Sequence, residues 1–255
     1  MDRSVAAIVE GLELEQPTVV TDALLARLSD HAGSPLSSDA AAERLVRAGW
    51  LLPLRTRRAW EFVPAARAGR YGSGDPLIEL RALLAHRPGA PVAAAFDSAV
   101  WALGYSTHQP ATEVIAHRQG WRAPEALSDF RSITYEWRLP TWEHRGVPTW
   151  SPATVVVAVA DRPRAQGNWA NADDWLPETM RAATPDDVWT EATGRPLSTL
   201  ARLGHLAEWS GRRDIAARIE PALPERLPVS YLGPRTQDGE WVNRWRLYDS
   251  LLPPR

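Results

Sequence analysis

The side chains able to do chemistry near neutral pH are few, and their spacing does not favour catalysis. Six histidines, His31, His86, His108, His117, His144 and His205, are scattered. No two fall three or four residues apart, and none sits in a His-Glu-x-x-His run, so no metal site is expected. Cysteine is absent, which removes disulfides, thiolate ligands and the thiol nucleophile. Every basic side chain is Arg, so a phosphate loop of the Gly-Lys type cannot form and a nuclease using acids with Lys is disfavoured. Gly72-Ser73-Gly74-Asp75 has the Gly-Ser opening of a nucleotidyltransferase but lacks the acidic pair downstream, and it reads better as a boundary loop. Asp173-Asp174 and Asp186-Asp187 read as charges at helix starts. The expectation is therefore a chain with no catalytic residues, no metal and no cofactor.

What remains is arginine, and its distribution is uneven. The chain carries a net charge of −2, which argues against indiscriminate binding to polyanions. Residues 1–43 hold Arg3 and Arg27 against eight acids, a net of −6. Residues 44–70 hold Arg44, Arg47, Arg55, Arg57, Arg58, Arg67 and Arg70 against Glu61, a net of +6.

The elements that must position this block can be read locally. Ala6, Ile8, Val9 and Leu12 make one side of a first helix, stopped at Gln16-Pro17. Thr21 can cap a second helix through Leu28. His31-Ala32-Gly33-Ser34-Pro35 is a turn. Ser37 or Ser38 caps a third helix whose Ala41, Leu45 and Ala48 recur at helical spacing, and Gly49 ends it. Residues 50–54 and 59–63 alternate as two strands around the tip Arg55-Thr56-Arg57-Arg58. Helix, helix, turn, helix and basic hairpin make a winged helix-turn-helix. In that arrangement the third helix meets the major groove near its N-terminus. The expected DNA contacts are Ser37, Ser38, Ala41, Arg44 and Arg47, with Arg55, Arg57 and Arg58 on the wing. The planar Arg fork suits both phosphate and guanine.

At 255 residues the chain is long enough for two domains. The expected division is residues 1–72, the winged domain, and 76–255, a larger mixed α+β domain, with a Gly-rich boundary between them. The fold class is thus α+β. In the second part, residues 77–84 read as a helix after Asp75 and Pro76, and 91–103 as a long apolar helix ending at Gly104. Residues 112–117 and 133–137 read as strands, and 173–181, 197–209 and 212–220 as helices. Residues 155–159 fit a buried strand or a helix equally well. Residues 229–232 and 245–248 read as closing strands. Eleven of the 13 tryptophans fall here, most expected in the core and some at a contact surface. The opening residues hold no apolar segment of signal length, and no run approaches the ~20 residues of a membrane span. A soluble cytoplasmic protein is expected.

Taken in order, these segments resemble the AbiEi family. Val19-Val20-Thr21 through Leu45-Val46-Arg47-Ala48-Gly49-Trp50-Leu51 is similar to that family's opening winged helix. Asp97-Ser98-Ala99-Val100-Trp101-Ala102-Leu103-Gly104 resembles its helix with a Leu-Gly end, and Gly146-Val147-Pro148 with Ser151-Pro152 its Val-Pro and Ser-Pro segment. Residues 202–208, Gly211, Tyr231-Leu232 and Trp245-Arg246-Leu247 resemble its C-terminal region. The family often follows Ser-Pro with Glu-Arg-Thr and then an Asp; here Ala153-Thr154-Val155 and Ala158 stand instead.

The resemblance implies an antitoxin of an AbiE-type, type IV toxin–antitoxin system. It would repress its own operon through double-stranded operator DNA with repeated half-sites. It would neutralise a nucleotidyltransferase-like toxin without requiring a stable complex. A second basic cluster, Arg202, Arg213 and Arg218, is the expected antitoxicity surface. The alternative is a one-component regulator with a sensing second domain; a nucleic-acid-processing enzyme is a more distant third.

Overall fold

The computed structural model describes residues 3–67, 72–235 and 239–253. Residues 68–71, part of the expected boundary and including Arg70, lie outside this set. The chain divides into two compact units, residues 1–90 with 124–128, and residues 91–123 with 129–255.

The first unit opens with α1 (Arg3–Glu15), β1 (Val19–Thr21), α2 (Asp22–His31) and α3 (Ser38–Arg47), followed by β2 (Leu51–Pro53) and β3 (Ala59–Phe62). Val5, Ile8, Val9 and Leu12 of α1 are buried with Leu25 and Leu28 of α2 and Ala41, Ala42 and Leu45 of α3 in one apolar cluster. The caps fall where side-chain chemistry places them. Thr21 accepts a bond from the Leu24 amide and Ser37 from the Ala40 amide, satisfying amides that the first helical turn leaves open. Gly49, at φ 81°, reverses the chain after α3 in a conformation that a side chain would strain. The hairpin β2–β3 gains β1 as a third antiparallel strand, in the order β1-β3-β2.

A fourth helix, α4 (Ile78–His86), packs on β1 and β3 of this unit, as does the short turn Glu125–Leu127 on α4. The division therefore falls after Ala90, beyond the Gly-rich segment at 72–76, and α4 belongs with the first unit.

The second unit holds a five-stranded sheet of order β6-β5-β4-β8-β7. Its strands are β4 (Val92–Ala94), β5 (Val114–His117), β6 (Arg131–Thr134), β7 (Trp142–His144) and β8 (Val147–Thr149), with α5 (Phe96–Ala102) between β4 and β5. Residues 91–103 are thus a strand and a short helix rather than one long helix, because the chain turns sharply at Phe96, whose φ is 48°. After β8 come α6 (Pro152–Asp161), α7 (Ala172–Ala182), α8 (Pro185–Ala192), α9 (Leu197–Trp209) and α10 (Arg213–Ile219). Helix α6 is the central element. Residues 152–160 are all buried, with α5, α7, α8 and α9 against them. A helix enclosed on every side shows no polar stripe, which is why 155–159 looked like a strand as much as a helix. A small sheet closes the unit, order β10-β11-β9, from β9 (Ser230–Leu232), β10 (Glu240–Val242) and β11 (Leu247–Asp249).

Candidate nucleic-acid interface and the second unit

In the first unit, α3 and the hairpin tip bring the expected residues to one region. Arg58, with φ 58°, turns its guanidinium to Asp22 at the start of α2 (3.4 Å) and to Asp39 in the first turn of α3 (3.9 Å). The hairpin tip therefore lies beside the N-terminal turn of α3. Ser37, Arg44 and Arg47 are exposed on α3, Ser38 is half-buried, and Arg55 and Arg57 are exposed on the tip. Arg47 pairs with Glu43 at 2.6 Å on the helix surface. These ion pairs lie at the surface, so each is worth little.

Ala41 does not join this surface. It is fully buried between α3 and its neighbours, on the same side as Leu45, so it packs the core instead of reaching a base.

One positioning group was not visible in the sequence. Glu79 of α4 accepts bonds from the Arg55 amide (2.7 Å) and from the Thr56 amide and hydroxyl (both 3.1 Å). His86 of the same helix contacts the Arg58 carbonyl at 3.1 Å. Helix α4 thus fixes the backbone from which the tip arginines project. No local pattern announces this, because Glu79 stands 23 residues from Thr56.

The second unit uses arginine differently. Arg162 donates to the Thr134 carbonyl, Arg202 to the carbonyls of Tyr231 and Ala160, and Arg212 to those of Met180 and Ala183. Arg195 donates to the Glu136 carbonyl and lies over the Tyr135 ring at 4.5 Å. Burial pulls the Arg202 pKa down from its ordinary value, with Asp161 opposing that shift. Arg202 is therefore largely a structural tie, whereas Arg213 and Arg218 are exposed on α10. Arg218 lies over Trp189 at 5.6 Å and 3.9 Å from Asp186. The buried Trp150 packs against Phe96, Tyr135 and Trp137 with centroids 5.0–6.1 Å apart.

Ser151 and Pro152 open α6: the Ser hydroxyl accepts from the Thr154 amide and Pro occupies the first turn. Residues 92–209, from β4 to the end of α9, match the family model described as the AbiEi antitoxin C-terminal domain. The chain carries an AbiEi antitoxin domain. That domain spans the five-stranded sheet and α5–α9, while the closing sheet β9–β11 lies outside the matched residues. Among solved structures, the crystal structure of RV2827C protein from Mycobacterium tuberculosis is similar along nearly the whole chain. Identity is 26%, coverage is 98% of this chain and 92% of that chain, and the TM-score is 0.80. No curated protein matches. Among the described residues no helix is long and apolar enough to cross a membrane.

The AbiEi domain also holds a cavity of about 630 Å³. Asp97, Arg131, Gln166 and Asn168 line it with the apolar wall of Val100, Pro110 and Ala111. Asp97 accepts from the amides of Gly167 (2.7 Å) and Asn168 (3.1 Å). Burial still holds its pKa above the usual carboxylate value, with those amides and Arg131 working against the shift.

Proposed function

We propose that this chain is a non-catalytic, autorepressing antitoxin. Its first unit is a winged helix-turn-helix that binds operator DNA, with α3 in the major groove and the β2–β3 tip on the backbone. The AbiEi domain neutralises a nucleotidyltransferase-like toxin encoded beside it. The observation that carries the reading is the AbiEi match at residues 92–209 on a chain whose first unit presents α3 and an arginine-tipped hairpin side by side. Arg55, Arg57 and Arg58 then serve as phosphate contacts, and Ser37, Ser38, Arg44 and Arg47 as groove contacts. The acids near them, Asp22, Asp39 and Glu43, restrain binding to random DNA. Arg213 and Arg218 are the exposed part of the antitoxicity surface.

The test is a pair of assays on the full chain. It should bind the DNA upstream of its own operon more tightly than random duplex of the same length. Co-expression should restore growth of cells making the neighbouring toxin. Failure of both removes the reading.

One observation favours a second reading, a one-component regulator. The 630 Å³ cavity combines a carboxylate, a guanidinium and amides with an apolar wall, a lining suited to a small polar ligand. That reading requires a small molecule that shifts operator binding, and it needs no toxin gene.

A further inference from the structure

The closing sheet β9–β11 presents a row of aromatic rings, and we propose that this row is a stacking platform for single-stranded nucleic acid. The inference is independent of the winged domain and of the antitoxin reading.

The row follows from register. Tyr248 of β11 stands opposite Tyr231 of β9 and opposite Trp241 of β10, so the three side chains share one face. The residues flanking the two tyrosines, Ser230, Leu232, Leu247 and Asp249, are buried on the other face. The tyrosine rings stack at 5.7 Å with an interplanar angle of 18°, and Trp241 leans on Tyr248 at 4.9 Å. Trp241 is 39% exposed, and Val229, just before β9, is 44% exposed. Tyr231 and Tyr248 are half-buried beside them, so the row keeps part of each ring open to water.

The charge around the row selects that occupant. Arg246, itself exposed, lies over the Trp241 ring at 6.0 Å. It holds a left-handed backbone (φ 46°), a strained conformation for a side-chain-bearing residue, in the turn before β11. Arg235, three residues after the end of β9, is exposed. Neither Arg235 nor Arg246 makes an ion pair among the described residues. One carboxylate, Glu240, shares the strand of Trp241. Ring faces interleaved with guanidinium groups match alternating bases and phosphates. Every base has a π-face, so such a platform binds without strict sequence preference.

The platform is also held in place before binding. Trp245, beneath the turn, packs on Gly204 of α9, where any Cβ would collide with the ring. Arg244 pairs with Glu208 and with Glu220 (2.7 Å), and the Trp245 indole donates to Glu208. A turn anchored this way pays less ordering cost when a strand of bases arrives.

The experiment uses the full chain carrying Arg55→Ala, Arg57→Ala and Arg58→Ala, so that the hairpin tip contributes no binding. The probes are labelled oligouridine and oligothymidine of about twelve nucleotides, read by fluorescence anisotropy. This parent should bind both, and excess duplex DNA should not displace them. Trp241→Ala should weaken binding roughly tenfold, and Trp241→Ala with Tyr248→Ala further, as expected for lost stacking. Trp241→Phe should retain most of it, because a ring remains. Arg246→Ala should lower the salt slope by about one. An unchanged urea midpoint for Trp241→Ala shows that the fold is intact; the residue is exposed, so no cavity forms. Three results overturn the proposal: no binding by the parent, equal binding by the Ala and parent proteins, or a doubled mass that Trp241→Ala abolishes. The last assigns the face to a second copy of this chain.

Discussion

Arginine is the chain's one cationic side chain at neutral pH, and α3 with the hairpin tip sets it against a different background from the core of the second unit. In the first unit Arg44, Arg47, Arg55, Arg57 and Arg58 are exposed on α3 and the hairpin tip, and Arg47 and Arg58 pair with carboxylates at the surface. In the second unit Arg195, Arg202 and Arg212 are half-buried and donate to the backbone carbonyls of Glu136, Tyr231 and Ala183. A buried carbonyl without a partner is costly, and a guanidinium with five donors can satisfy two at once while its charge is spread. The same residue type is thus an external contact in one setting and an internal tie in the other. Composition alone does not separate the two. Burial and partners do.

Substitutions can break this contrast. The largest expected effect is on the exposed set. Replacing Arg55, Arg57 and Arg58 together by Ala should weaken binding to cognate and random duplex alike, by roughly two orders of magnitude near physiological salt. The salt dependence should flatten, since about three fewer counterions are released. A gel-shift titration across salt concentrations checks this, and the urea midpoint should hardly move. An unchanged salt slope would show that the tip makes no phosphate contacts.

Arg44→Ala should act on specificity instead. The expected loss is about 1–3 kcal/mol on the cognate operator, as for one bidentate guanine contact, with a smaller loss on random duplex. Equal losses on the two duplexes would move Arg44 to the backbone.

Among the half-buried set, Arg212→Ala strips the Met180 and Ala183 carbonyls of their donor. It should cost about 1–3 kcal/mol of stability and leave DNA affinity within twofold. Calorimetry together with the same gel shift distinguishes the two readouts.

A subtler effect belongs to Glu79. Glu79→Gln keeps the shape but weakens the charge-assisted bonds to Arg55 and Thr56. It should cost about 1 kcal/mol of stability and a few-fold in DNA affinity, without changing sequence preference. Full affinity in this variant would mean that α4 does not position the wing.

The smallest expected effect is a pH dependence in the second unit. Burial raises the pKa of Asp97 above the unfolded value. Its contribution to stability is therefore largest below the unfolded pKa and declines as pH rises through the folded one. Asp97→Asn should flatten that decline in stability curves measured between mildly acidic and neutral pH.

The sequence revealed the first unit in detail because its signals are local. Caps at Thr21 and Ser37, the left-handed Gly49 and the alternating hairpin each act within a few residues. The contact residues on α3 were less legible: Ala41 lies one turn from exposed Ser37 and half-buried Ser38, yet its side chain completes the buried stripe with Leu45. Helix α4 was placed in the wrong company because its contacts with β1 and β3 are long-range. In the second unit α9 was readable to its ends, whereas α6 was ambiguous because it is apolar all round. The edge strand β10 carries no local signal: it is three residues long, with exposed Glu240 and Trp241 and no alternating pattern. The chain order of segments was enough to show the AbiEi resemblance even where single elements were misread.

The division of units also shapes the decisive test. Because α4 and residues 124–128 belong with the first unit, a single cut near residue 76 would divide that unit. The full chain with silenced wing arginines is the better instrument. The measurement is growth of cells producing the neighbouring toxin, with a promoter reporter in the same cells. Both are compared between the unchanged chain and the Arg55→Ala, Arg57→Ala, Arg58→Ala variant. The account predicts that the unchanged chain restores growth and silences the reporter, while the variant restores growth equally and leaves the reporter on. Loss of growth rescue together with loss of repression, in a variant that is folded and equally abundant, would contradict the assignment of repression to the first unit and neutralisation to the AbiEi domain.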